Sequence, residues 1–156
     1  MRLERDGYEL DDDPARIDLD RVWAFLHNDA YWSRGVSRET VADSIAGSVC
    51  LGLYAPGGEQ AGFSRAVTDS ATFAWIADVF VLSDHRGREL GKWMVGELLG
   101  HPRVEGLRLA ILATADAHGL YRRFGFEAID VARFMSRRRP VGGSRPQTTP
   151  GANDTE

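Results

Sequence analysis

The chain has 156 residues, of which 43% are hydrophobic and 27% charged, and a formal net charge of −4. A single domain is the default at this length, removing roughly 70% of its unfolded surface from water without covalent staples. There is no Gly-X-Y period, sustained heptad or internal repeat of roughly 20 to 50 residues, so collagen, coiled coils, solenoids and propellers are excluded.

Cys50 is the single cysteine and permits no internal disulfide. No apolar run approaches the roughly 18 residues of a membrane span, and the first 20 residues are acidic where a signal region would be basic and then apolar. These features predict a cytoplasmic protein with no membrane partner. The acidic balance argues against nucleic acid, whose phosphates need a basic face. Arg137–Arg139 is the densest basic run, but it lacks interleaved aromatics and reads as a solvated domain edge.

Residues 1–20 hold eight acids against three Arg. One strand is expected ahead of the first helix, where Ile17, Leu19, Val22, Trp23 and Leu26 repeat at helical spacing. They predict a helix over 18–28, with Asp18 or Asp20 at its positive end. Ser37 is the expected N-cap of a second helix through Ser48, with Val41 and Ile45 on its inner face. Val49–Ala55, Ala61–Val67 and Thr72–Leu82 then read as three strands of an antiparallel meander, the first two joined by a Pro56-Gly57-Gly58 turn. Leu90, Trp93, Met94 and Leu98 give a further helix ending near Gly100 and Pro102. Leu107–Ala113 reads as a buried strand. Asp116 is the expected cap of a short helix carrying Ala117, Leu120, Tyr121 and Phe124, which Gly125 stops. Glu127–Met135 supplies one last strand or a bent pair. From Pro140 the chain is rich in Gly, Pro, Ser and Thr, which cannot bury enough surface to offset ordering. The expected division is a domain at 1–136 and a disordered tail at 137–156.

The most informative segment runs from Asp78 to Lys92, where a buried strand passes into a basic, glycine-containing loop that opens a helix. Unpaired amides of a first helical turn and the helix dipole favour an anion there, and a nucleotide or pyrophosphate is the natural guest. The loop is not a P-loop, because only three residues separate Gly87 from Gly91-Lys92 and Trp93 stands where Ser or Thr would hold magnesium. No G-x-G-x-x-G can be written through it either.

Arg86-Gly87-Arg88-Glu89-Leu90-Gly91 resembles the acetyl-CoA motif R/Q-x-x-G-x-G/A of the GCN5-related N-acetyltransferase (GNAT) family, and Ala117-His118-Gly119-Leu120-Tyr121-Arg122-Arg123-Phe124-Gly125-Phe126 matches that family's A-x-x-L-Y-x-x-x-G-F. The resemblance implies a mixed α/β fold, a central mixed sheet with helices on both faces, and direct acetyl transfer from acetyl-CoA to an amine in a ternary complex. It implies that amides of Gly87, Arg88, Glu89, Leu90, Gly91 and Lys92, with Arg86, cradle the CoA pyrophosphate. Backbone groups of Val79, Phe80 and Val81 would pair with pantetheine, and a strand amide near Phe80 would meet the oxyanion. Thr114 stands where the family often has Asn. Glu89 replaces the motif's first Gly: either its side chain points to solvent and only its amide matters, or its carboxylate competes with pyrophosphate for the same amides and weakens the CoA site. No metal is implied.

The same resemblance makes Tyr121 the candidate general acid for the departing thiolate. Asp78 interrupts an apolar strand, so it is either the base for the acceptor ammonium or a structural carboxylate bonded to a neighbouring loop. Asp116 and His118 are further base candidates, although a helix cap and an exposed helix residue are the simpler readings. Cys50 reads as a buried core thiol. Tyr31 and Trp32, in the connection between the first two helices, are candidate walls for a small cationic amine, with Asp116 beside them and Asp29 or Asp69 attracting its charge. A non-catalytic CoA-binding or regulatory module with the same fold is the alternative. The sequence leaves the oligomeric state open; in the family the final strand region frequently contributes to homodimers.

Overall fold

A computed structural model describes residues 1–138. It opens with a hairpin, β1 (Arg2–Arg5) and β2 (Tyr8–Asp11), where one strand was expected. Its two-residue turn, Asp6-Gly7, has positive φ at both positions (51° and 79°), the geometry that matches strand twist. Helix α1 (Leu19–Asn28) starts where Asp18 accepts the Arg21 amide at 3.0 Å, and α2 (Arg38–Ala46) where Ser37 accepts that of Thr40 at 3.1 Å. The second helix stops at Gly47, just short of the expected Ser48.

The meander follows as β3 (Val49–Tyr54), β4 (Gln60–Thr68) and β5 (Phe73–Val81), then α3 (Leu90–Leu99), β6 (Leu109–Ile111) and α4 (His118–Arg122). The sheet runs β1-β2-β3-β4-β5-β6, antiparallel throughout except for the parallel pair β5–β6. Helices α1 and α2 cover one face, where Val22, Leu26, Val41, Phe63 and Phe80 pack together. Helix α3 covers the other, placing Met94 and Leu98 on β3, β4 and β5 with no exposed surface. Each such side chain contributes about 2 kcal/mol of burial.

Strands β5 and β6 pair only from Phe73↔Leu109 to Trp75↔Ile111. Beyond Trp75, β5 keeps β4 on one side and, among the described residues, has no strand on the other, so the sheet splits open there. The expected Leu107–Ala113 strand shrinks to three residues for this reason.

Two expectations fail locally. Glu127–Met135 forms no strand: Asp130 accepts the Ala132 amide at 3.1 Å and caps a 3-10 turn at Val131–Arg133, a local bond that replaces strand pairing. Asp116 does not cap α4; Thr114 Oγ1 accepts the Ala117 amide at 3.0 Å instead. Of the expected tail, residues 139–156 lie outside the described residues.

The hairpin is tied to α3 at both ends. The Tyr8 hydroxyl and His85 Nδ1, in the loop ahead of the helix, share a hydrogen bond at 2.9 Å. At the other end, His101 Nε2 donates to Asp12 Oδ2 at 3.0 Å while its Nδ1 accepts the Arg103 amide at 3.1 Å.

Candidate active site

The loop between β5 and α3 is bent by Gly87 (φ 76°) and Glu89 (φ 59°), both left-handed. Glu89 occupies the N-cap position of α3 without capping it. Its carboxylate instead accepts from Lys92 Nζ at 2.6 Å, and that hydrogen bond and charge hold its pKa below the ordinary carboxylate value. The first amides of α3 are therefore not taken by this side chain. The Arg86 guanidinium donates to Val81 O at 2.8 Å, folding the loop back on β5. A cavity of about 480 Å³ lies over this turn, with Arg86, Gly87, Glu89 and Lys92 on one wall and Gly119 and Arg123 of the α4 region on the other. Val81 and Leu90 also line it. Arg88 is exposed beside it. The cradle suits a pyrophosphate: amides at a helix N-terminus, the dipole of a ten-residue helix, and cations from two elements. His85 and Arg123 were not among the predicted residues, although both stand within or beside the motifs.

A second cavity, about 400 Å³, lies further along β5 on the α1–α2 side. Here β5 bulges. Phe63 pairs with Phe80 and Arg65 with Ala77, so Ser64 faces both Asp78 and Val79, and Asp78 adopts φ 52°. The bulge turns Asp78 toward the cavity. Its Oδ2 accepts from Arg65 Nε at 2.6 Å and its Oδ1 from Trp32 Nε1 at 3.0 Å. Arg65 also donates to Ser48 Oγ at 3.2 Å. No sequence pattern marks Arg65, since the bulge that brings it to Asp78 is a property of strand register.

The α1–α2 connection straps this cavity. Tyr31 accepts the Ala115 amide at 3.0 Å through its hydroxyl, and the Tyr31 and Trp32 rings meet edge to face at 5.0 Å. Trp32 leans on Phe25, which stacks on Phe80 at 3.9 Å. Tyr121 closes the inner end, buried, with its ring edge-on to Phe126. Among the described residues its hydroxyl has no hydrogen-bond partner. Burial, with smaller contributions from Tyr31 and Asp116, raises its pKa above the ordinary tyrosine value. Asp116 lines the cavity, is exposed, and makes no ion pair among the described residues.

Other candidates fall outside. Asp69 folds onto its own turn, accepting the amides of Ala71 and Thr72 and the Thr72 hydroxyl, and neither it nor Asp29 lines the cavity. His118 is exposed on α4. Burial pushes the Cys50 thiol up to about 12, and its Sγ lies 3.6 Å from Ile45 O, so it carries no thiolate at neutral pH. Among the described residues no group of three His, Cys, Asp or Glu side chains is placed to hold a metal ion.

The sequence profile described as the Acetyltransferase (GNAT) domain matches residues 45–128. A provisionally named acetyltransferase of Gibberella zeae is 30% identical over 145 residues, covering 79% of this chain and 81% of its own. The crystal structure of a Xanthomonas campestris pv. campestris protein, provisionally assigned as an acetyltransferase of the GNAT family, superposes with a TM-score of 0.81 at 36% identity, over 85% of this chain and 94% of that one. A Deinococcus radiodurans R1 structure shares the fold at 20% identity, with a TM-score of 0.69 over 89% of this chain and 94% of its own. With the domain match spanning more than half of the chain and the Gibberella relative most of it, the protein belongs to the GNAT family of acetyltransferases, whose co-substrate is acetyl-CoA.

Proposed function

We propose that this N-acetyltransferase moves an acetyl group from acetyl-CoA to a small cationic amine by direct attack in a ternary complex. One observation carries the reading: the cationic cavity and the strapped cavity share the same two elements. Val79 of β5 and Tyr121 of α4 line the strapped cavity, and Val81 and Gly119 of the same two elements line the cationic one. A long ligand held at the α3 turn can thus reach the second cavity through the split between β5 and β6.

Bound acetyl-CoA supplies the activated acetyl thioester. The amides of Gly87 to Lys92, with Arg86 and Arg123 nearby, would hold its pyrophosphate, and the unpaired edge of Val79, Phe80 and Val81 would run beside pantetheine. Thr114, which lines the second cavity, has its hydroxyl engaged by Ala117. Asp116 offers the cavity an unpaired carboxylate that can take the ammonium proton directly or through water, and Asp78 is so engaged that it holds Trp32 and Arg65 in place. As the amine nitrogen bonds to the acetyl carbon and the carbon–sulfur bond breaks, Tyr121 is placed to protonate sulfur and to recover a proton from the nitrogen. One proton per turnover leaves to solvent. Cys50, protonated and buried, supports attack without an acyl-enzyme.

Titrating acetyl-CoA calorimetrically and then following thiol release over an amine panel tests the reading. Intersecting double-reciprocal lines are expected, and parallel lines would overturn the ternary complex. Binding without thiol release for any amine would favour the non-catalytic module, which the Glu89–Lys92 pair at the anion cavity keeps as the second reading. We also place the protein in the cytoplasm on its composition. The exposed apolar residues Phe73, Leu109 and Phe134 support a homodimer, which sedimentation would test.

A further inference from the structure

The charges around the second cavity constrain the acceptor further. Its ionised side chains are Arg65, Asp78 and Asp116. Arg65 and Asp78 close on each other at 2.6 Å, with side-chain exposures of 16% and 8%, and the Trp32 indole fills the remaining Asp78 oxygen. That pair is neutral toward a ligand. Asp116 is left as the single unpaired carboxylate lining the cavity among the described residues. The remaining wall is mostly apolar, including Leu26, Val36, Val41, Trp75 and the Tyr31 and Trp32 rings.

Such a wall complements one ammonium and a body without further charge. A polyamine would bring extra ammonium groups with no carboxylates to meet them, at a desolvation cost. A ligand carrying a carboxylate or phosphate would need a free cation, and Arg65 is already engaged. We infer that the acceptor is a monoamine with an apolar body. Its ammonium faces Asp116 and its body lies against the Trp32 indole, while Asp78 and Arg65 act as positioning residues that hold the indole. The inference rests on the acetyl-transfer reading above. Trp32 is thereby the specificity-determining side chain: its N–H is spent on Asp78, so its ring is presented in a fixed orientation, and the edge-to-face Tyr31 ring limits its rotation.

The test uses the full chain saturated with acetyl-CoA and compares thiol release with 2-phenylethylamine, spermidine and glycylglycine. A kcat/KM for 2-phenylethylamine at least about tenfold above the other two is expected, the discrimination of one mismatched charge. A preference for spermidine or glycylglycine with turnover intact overturns the acceptor class and leaves acetyl transfer standing. No thiol release from any of the three overturns the acceptor class, and acetyl transfer itself falls only if the wider amine panel is silent as well. Asp116→Asn should raise KM for 2-phenylethylamine about tenfold and also lower kcat, because the same carboxylate takes the ammonium proton, while leaving inhibition by its neutral isostere 2-phenylethanol unchanged; equal losses for both probes would remove Asp116 as the ammonium partner. Asp78→Asn should raise KM with kcat nearly retained and alter Trp32 fluorescence. A loss confined to kcat would make Asp78 the base and overturn its positioning role.

Discussion

The Glu89 carboxylate and the Lys92 ammonium lie 2.6 Å apart at the turn where α3 begins, both on the wall of the cationic cavity. An anion entering this turn meets a cation already partnered and a carboxylate of its own sign. Glu89→Gly removes the like charge, frees Lys92 and places glycine at a left-handed φ that favours it. Acetyl-CoA should bind several-fold more tightly by calorimetry, with the gain shrinking as salt is raised. Unchanged affinity at low salt would show that the pyrophosphate does not sense this carboxylate.

Tyr121→Phe keeps the ring and its contact with Phe126 but removes the proton donor. The expected result is a fall in kcat of about 10² or more with acetyl-CoA affinity retained. Burial disfavours the phenolate, so the raised pKa keeps Tyr121 protonated through the ordinary tyrosine range. In wild type, kcat should therefore show no alkaline limb from this group below about pH 10. Turnover unchanged in the variant would eliminate Tyr121 as the acid.

Arg16 binds both Glu9 and Asp11 and lies 4.1 Å from the centre of the Tyr54 ring. The Arg16 hydrogen bond lowers the Glu9 pKa. For Asp11, burial raises it, but the bonds from Arg16 and the Asp13 amide outweigh burial and leave it lowered. Lowered folded pKa values mean stability present above the unfolded values near pH 4 and lost as pH falls through the folded ones. Arg16→Met should cost about 1 kcal/mol at pH 7 and progressively less below pH 4, measured by urea unfolding at each pH. A cost independent of pH would indicate packing on Tyr54 as the whole effect.

Gly62 and Ser64 sit two apart on β4 with opposite expected behaviour. A Cβ on Gly62 would lie 2.7 Å from the Phe80 carbonyl, which is backbone in a paired strand and cannot move aside. Gly62→Ala should cost about 2 kcal/mol or more. The Ser64 hydroxyl is fully buried with no partner among the described residues, so Ser64→Ala should be neutral or stabilising by about 1 kcal/mol. Thermal unfolding of both variants checks the pair, and a large loss at Ser64 would mean that its hydroxyl is bonded.

Local chemistry was readable in the residues. Asp18 and Ser37 cap their helices because capping needs only four consecutive residues, and the Arg86–Gly91 loop carries its turn in its own composition. The Asp6-Gly7 step is an equally local hairpin signal, masked by the acidic run around it. What depended on register was not readable. The bulge at Asp78 exists because β4 and β5 pair out of step, and only that offset joins Arg65, Asp78 and Trp32. Thr114, not Asp116, bonds an amide at the start of α4, and spacing alone does not say which of the two is engaged. Glu127–Met135 reads as a last strand or a bent pair, but a ladder needs a neighbour as well as a suitable segment.

The two ties between hairpin and helix have a practical consequence for anyone trimming this protein. The GNAT domain match begins at residue 45, so a minimal fragment cut at that boundary would contain the whole anion loop and all of α3. It would lack Tyr8 and Asp12, the partners of His85 and His101. Such a fragment would carry the recognition sequence without the splint that holds it at both ends.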